Sequence, residues 1–89
     1  MLRLLYKINK DKIVYRIINK EAVLLNLESG VYYSLNKTGA DIWQYINEGK
    51  CLDEILDSLE ARHKINRQKL KRDLLALIKD LEREKLIAK

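Results

Sequence analysis

Up to Leu35 apolar residues alternate or gather in short extended runs, and from Ala40 onward they recur at helical spacing. Leu2, Leu4, Tyr6 and Ile8 alternate, which predicts a leading strand over Leu2–Ile8 before the polar turn Asn9-Lys10-Asp11-Lys12. Ile13 to Ile18 is β-branched and extended in character, and Asn19-Lys20-Glu21 breaks it. Ala22 to Leu27 resumes the pattern, and Glu28-Ser29-Gly30 turns the chain into Val31–Leu35. Gly30 suits the left-handed position of a short hairpin loop, where a side chain at positive φ is strained. The first part of the chain therefore reads as an antiparallel meander of three or four strands.

Helical spacing then takes over. Thr38-Gly-Ala-Asp41 is a capping-box variant in which Thr38 can accept from the Asp41 amide, with Asn36 as a competing cap. Ala40, Trp43 and Ile46 share a stripe, with Ile42 beside it, and Gly49 stops the helix. Leu52–His63 predicts a second helix with Ile55, Leu56 and Leu59 inward. Asn66 caps a third, in which Leu70, Leu74, Leu77, Ile78 and Leu81 recur, and Leu86-Ile87 closes the chain. The expected fold is α+β and winged-helix-turn-helix-like: an N-terminal antiparallel three- to four-stranded β-meander followed by three α-helices, in one domain over residues 1–89.

Composition narrows the function. The 89 residues suffice for one modest core but not for an enclosed active-site cavity and a second domain. With 47% apolar and 35% charged residues the chain is globular rather than disordered. No apolar run approaches the roughly 20 residues that span a bilayer, and the start lacks a signal-peptide pattern. The lone Cys51 has no partner for an internal disulfide or a metal pair, which fits a reducing cytoplasm. The net charge of +5 is unevenly spread. Asp41, Glu48, Asp53, Glu54, Asp57 and Glu60 face Lys50 alone in one stretch, whereas Arg62, Lys64, Arg67, Lys69, Lys71 and Arg72 follow with no acid among them. Either the basic block awaits an acidic partner, or the two blocks neutralise one another across the fold.

Catalytic chemistry is hard to assemble from these residues. His63, the single histidine, ends a helix among Arg62 and Lys64, where its charge complements the helix dipole. Cys51 falls at a helix N-cap with no base at helical or strand spacing. Asp53, Glu54 and Asp57 lie early in their helix, where acids are favourable. No phosphate loop, nucleophile elbow or Cys/His cluster is present. The expectation is a non-enzyme with no metal and no cofactor.

Two features point to binding instead. Val31, Tyr32, Tyr33, Ser34 and Leu35 form a strand without charge or proline, so at a sheet edge nothing would prevent another extended chain from pairing with it. The third helix opens with Arg67, Lys69, Lys71 and Arg72, cations that the helix dipole disfavours by roughly 0.3–1 kcal/mol each; Asp73 offsets only part of this. Beside them Leu70, Leu74 and Leu77 can either face the core or line one wall of a groove opposite the strand. In such a groove the backbones of Val31, Tyr33 and their neighbours would pair with a peptide. Tyr32, Tyr33, Leu70, Leu74 and Leu77 would shape apolar pockets, Lys69, Lys71 and Arg72 would favour acidic ligand positions, and Asp73 would accept at the rim. Which face Tyr32 and Tyr33 occupy stays open, because a one-residue change of register inverts the strand.

The stretch Leu-Leu-Asn-Leu-Glu-Ser-Gly-Val-Tyr-Tyr-Ser-Leu-Asn-Lys-Thr-Gly-Ala-Asp-Ile-Trp, residues 24–43, resembles the signature of the PqqD-like proteins. Gly49 followed by Leu52-Asp-Glu-Ile55, Asp73 in the third helix, and the closing Leu86-Ile87 extend the likeness to nearly the whole chain from Ile13. The resemblance implies a leader-peptide recognition module of ribosomally made, modified peptides. Such modules bind the leader between third strand and third helix and present the core peptide to a modifying enzyme. The short basic form resembles the leader-binding subunit of lasso-peptide systems, whose partner is a separate leader protease; a PqqD-type partner would be a radical-SAM enzyme. Lys85 stands where the family commonly has Gly, and Cys51 where it has Thr or Ser.

Helix-turn-helix DNA binding is the rival reading, because a basic third helix follows a short turn. Against it, only Leu86 to Lys89 remains where a wing would follow, and the third helix lacks a base-reading set beyond Asn66, Arg67 and Gln68. A homodimer is a further expectation, with Leu2–Ile8 pairing either with Ile13–Ile18 or with a second subunit.

Overall fold

The computed structural model describes residues 4–89, so the Leu2 end of the expected leading strand lies outside the described residues. Strands β1 (Lys7–Ile8), β2 (Ile13–Ile18), β3 (Glu21–Asn26) and β4 (Tyr32–Leu35) precede helices α1 (Lys37–Asn47), α2 (Leu52–His63) and α3 (Arg67–Arg83), and β5 (Ile87–Ala88) follows. The fold class is the expected one.

The leading strand departs from expectation. Among the described residues it is paired over Lys7–Ile8, and its partner is β5 rather than β2. The turn after it explains the difference. Lys12 N–H donates to the Asn9 carbonyl at 2.9 Å, which swings the chain away, while Asn9 N–H donates to the Leu86 carbonyl at 3.1 Å. Tyr6 and Ile8 are thereby buried with Leu86 and Ile87.

The main sheet runs β2-β3-β4, antiparallel throughout. Asn19 and Lys20, at φ 52° and 67°, form the tight turn between β2 and β3 whose backbone twist matches that of the strands. Between β3 and β4, Gly30 sits at φ 72°, and the buried Asn26 side chain accepts from the amides of Glu28 at 2.9 Å and Ser29 at 3.2 Å. That Asn is the one buried polar residue in the sheet, and the two turn amides satisfy it.

On one face of the sheet Ile13, Ala22, Leu24 and Leu35 are buried against the helices. Trp43 of α1 is fully buried and meets the Tyr15 ring edge-on at 5.4 Å between centroids. Leu52, Ile55, Leu56 and Leu59 of α2 and Leu70, Leu74, Ile78 and Leu81 of α3 complete the core. Leu77, expected with them, is only partly buried.

Of the competing caps on α1, Asn36 prevails. Its Oδ1 accepts from Gly39 N–H at 2.9 Å, and Thr38 lies within the first helical turn. Asn36 directly follows β4, so the strand passes into the helix without a loop. Gly39 permits this, since a Cβ there would stand 3.1 Å from Leu35 Cβ. Lys85, the departure from the family's glycine, adopts φ 60°, a left-handed conformation that suits Gly better than Lys.

Two outcomes test these local devices. Asn36→Ala should cost about 1 kcal/mol in denaturant unfolding, whereas Thr38→Ala should cost a few tenths at most. At the start of α2, Cys51 N–H donates to Glu54 Oε1 at 2.9 Å, and this bond holds the Glu54 carboxyl below the usual glutamate range. A depressed folded value means stability present above the unfolded value and lost as pH falls through the folded one. Glu54→Gln should therefore lower the thermal midpoint at neutral pH, and the gap to the parent should close in acid once Glu54 itself is protonated.

Candidate functional site: a groove beside an open strand edge

Alternation of the antiparallel ladder decides which backbone groups of β4 remain free. Asn26 N–H donates to the Val31 carbonyl at 3.0 Å, so these residues form a hydrogen-bonded pair. By alternation Leu24/Tyr33 and Ala22/Leu35 are the next such pairs in the register. Val31 thus gives its carbonyl to β3 while its N–H donates to Ser29 Oγ at 3.2 Å, and Tyr33 and Leu35 spend their peptide groups on β3. The N–H and C=O groups of Tyr32 and Ser34 point outward from the sheet edge, which reverses the assignment expected for Val31 and Tyr33.

Side chains alternate the other way. Tyr33 and Leu35 turn toward the helices, whereas Tyr32, 67% exposed, lies on the opposite face of the sheet with Val14, Ile18 and Leu25. The expected role of Tyr32 in shaping an apolar pocket of the groove is therefore corrected.

Between the β4 edge and α3 runs a groove in three connected parts. The first, about 380 Å³, has Leu35, Ile42, Ile65, Leu70 and Leu77 for apolar walls, with Ser34, Thr38, Lys69 and Asp73 at its margin. Leu77 and Leu35 also border a second part of about 220 Å³, which continues over Leu81 and Leu86 under a rim of Asp80, Arg83 and Glu84. Tyr33, Arg83 and Glu84 are shared with the third, about 400 Å³, which opens past Val31 and Ser29. A concavity of about 460 Å³ near β5 is larger, but Lys12, Lys85 and Lys89 supply much of its wall.

One side-chain bond crosses the groove. Tyr33 Oη donates to Glu84 Oε2 at 2.5 Å, tying β4 to the end of α3. That bond is the main cause holding the Tyr33 phenol above its ordinary value, with desolvation adding to it. Arg83 lies 3.7 Å from Glu84 and 3.1 Å from Asp80, so the rim carries both signs of charge.

The expected site residues are thus divided. Val31, Tyr33, Ser34, Leu35, Lys69, Leu70, Asp73 and Leu77 border the groove. Leu74 does not, because it is fully buried in the core. Lys71 and Arg72 are exposed and border no part of it, since Leu70 and Leu74 occupy the inward face of α3 and turn these two away. Lys69 Nζ, at the groove margin, is 3.4 Å from Asp73.

Sequence reasoning missed Thr38, Gly39, Ile42, Ile65 and the Asp80–Glu84 rim. Ile65 did carry a signal, as an apolar residue, 37% exposed, within a basic stretch. The α1 residues gave none, because Gly39 and Ile42 reach the groove only through the close passage of α1 past Leu35.

The charge blocks meet each other in part, through Arg62 and Arg67. Arg67 is 2.8 Å from Asp57 and 3.2 Å from Glu60 of α2, and the Asp57 bond is the main cause raising its pKa. These contacts offset the dipole penalty expected at the start of α3. His63 does end α2, and in addition its Nε2 lies 2.9 Å from Asp41 Oδ2 of α1, beside Arg62 at 3.5 Å. Among the described residues no group of His, Cys, Asp and Glu is arranged to hold a metal ion. No helix of the described residues is long and apolar enough to cross a membrane.

Comparison with known proteins fits this geometry. A family model described as coenzyme PQQ synthesis protein D (PqqD) matches residues 21–87. A solved structure described as TbiB1 in complex with the TbiA(beta) leader peptide is similar at 36% identity and a TM-score of 0.84, over 91% of this chain and 93% of that one. Another, lasso peptide synthetase B1 complexed with the leader peptide, shares the fold at 24% identity and a TM-score of 0.85, over 97% and 100% of the two chains. No curated protein sequence matches. From β3 to β5, the chain belongs to the PqqD family.

Proposed function

We propose that this protein is a non-catalytic module that captures the leader of a ribosomally made precursor peptide by strand addition. It then presents the precursor to a separate processing enzyme. The observation that carries the reading is the outward pair of peptide groups, Tyr32 and Ser34, on an uncharged edge directly beside an apolar groove. An added strand takes its backbone bonds from those residues, which gives affinity with little sequence preference. Its alternate side chains fall into the parts of the groove floored by Leu70 and Leu77 and by Leu81 and Leu86. The solved relative bound to a leader peptide supports the same ligand class.

The partner in this reading is a leader protease in a lasso-type system, with a radical-SAM enzyme as the PqqD-type alternative. In this reading catalysis belongs to that partner. The rim contacts of an acidic leader are reduced from the sequence expectation to Lys69 and Arg83, because Arg67 is engaged by α2 and Lys71 and Arg72 lie off the groove. The same engagement of Arg67 weakens the DNA-binding alternative.

Calorimetric titration with the leader half of a precursor encoded beside the gene, with random duplex DNA as control, should give saturable one-to-one peptide binding and no DNA binding. Ser34→Pro removes an outward donor and leaves the β3 ladder intact, so it should fold and lose binding at least tenfold. Tyr33→Pro breaks the ladder and should compromise folding as well. Full binding by a folded Ser34→Pro variant would overturn strand addition, and DNA binding with an inert peptide would move the function to the helix-turn-helix reading.

Charge reversal separates the cations. Lys69→Glu should weaken an acidic leader by up to about fivefold and flatten its salt dependence, as expected for an exposed pair worth about 1 kcal/mol or less. Lys71→Glu should change binding by less than twofold, read in the same titration.

A further inference from the structure

Among the described residues the sheet has a second open edge, at β2. Leu27 N–H donates to the Lys12 carbonyl at 2.8 Å, so alternation assigns Val14, Arg16 and Ile18 to the β3 ladder. The peptide groups of Ile13, Tyr15 and Ile17 then face outward. The short β1–β5 sheet does not pair with this edge. At six residues β2 is longer than β4, and Arg16 is its one charge. Val14 and Ile18 are each 53% exposed and Ile17 is 40% exposed. Such an edge needs either protection or a partner.

We propose that β2 pairs antiparallel with β2 of a second copy, about a two-fold axis at Tyr15. The strand is self-complementary in that one register. Ile13 then pairs with Ile17 of the second copy, Tyr15 with its counterpart, and Ile17 with Ile13, so all three outward residues are used. On the outer face Val14 stands opposite Arg16 of the second copy, so no cation opposes a cation. Shifting the axis to Arg16 sets the two guanidinium groups against each other, and shifting it to Val14 leaves Ile17 unpaired. Ile17, exposed in the single chain, lies diagonally across from the half-buried Tyr15 of the second copy, whereas Ile13, already buried in the core, contributes backbone pairing only. A strand edge alone buries less than the roughly 800 Å² per partner of a stable interface, so the association is reversible and concentration-dependent. Because β2 and β4 are opposite edges, the pairing is independent of peptide capture.

Sedimentation velocity over a dilution series of the full chain, with and without leader peptide, tests the inference. The parent should shift from monomer toward dimer as concentration rises, to the same extent in both conditions. Ile17→Lys, checked for an unchanged far-ultraviolet spectrum, should remain monomeric. Val14→Glu should tighten the dimer several-fold at low salt, because each new carboxylate faces Arg16 of the second copy. A parent that stays monomeric throughout, or a dimer indifferent to Ile17→Lys, overturns the β2 interface. A dimer weakened by Val14→Glu overturns the register. None of these results bears on peptide binding, which the Ser34→Pro titration reads separately.

Discussion

The central strand of the sheet governs what the rest of the molecule can do. β3 gives Ala22, Leu24 and Asn26 to β4 and the residues between them to β2, through one continuous ladder on each side. That commitment fixes which peptide groups of the outer strands are consumed and which face out. It also fixes which side chains reach the helices, because side chains and peptide groups alternate along the same strand. A slip of one residue would turn Tyr33 and Leu35 outward, present Tyr32 and Ser34 to the core, and remove the groove floor. Asn26, held by two turn amides, is well placed to prevent that slip on the β4 side.

Two ties to β4, one from α1 and one from the end of α3, bound the groove. Asn36 and Gly39 bring the start of α1 against Leu35, closing one end of the groove beneath Ile42. At the far end, the Tyr33–Glu84 bond draws β4 toward the last turn of α3. Between these two ties the strand stands away from the helix. Leu77, partly buried where its neighbours Leu74 and Ile78 are fully enclosed, occupies the gap. A residue left half covered in an otherwise closed apolar stripe marks the place where the core stops being a core and becomes a binding surface.

Much of this was legible in the sequence. The meander, the three helices, the Asn66 cap and the apolar stripes follow from local periodicity and capping chemistry, which depend on residues a few positions apart. The strand–helix pair that borders the groove was legible for the same reason, helped by the family resemblance over residues 24–43. What escaped were the relations between distant segments. The pairing of β1 with β5 joins residues at the two ends of the chain, and nothing in Lys7-Ile8 specifies Ile87-Ala88. The face that Tyr32 occupies is not legible either, because composition does not fix strand register. Leu74 was assigned to the groove because helical spacing defines an arc, whereas the packing of α1 and α2 decides which part of that arc is covered.

Charge illustrates the same division. The acidic run from Asp41 to Glu60 and the basic run after it leave open either an anionic partner or mutual neutralisation. Folded, the runs meet at Arg67 with Asp57 and Glu60, and at His63 and Arg62 with Asp41. These contacts join α2 to α3 and α1 to the end of α2, so the charge asymmetry serves first to assemble the helices. Among the cations of the basic run, Lys69 alone borders the groove, and it already has Asp73 beside it. Long-range steering by such a modest local field is weak. Selectivity for a peptide must therefore come mainly from the shape of the apolar groove and the spacing of the outward peptide groups at Tyr32 and Ser34. Electrostatics adjusts the approach rather than the fit.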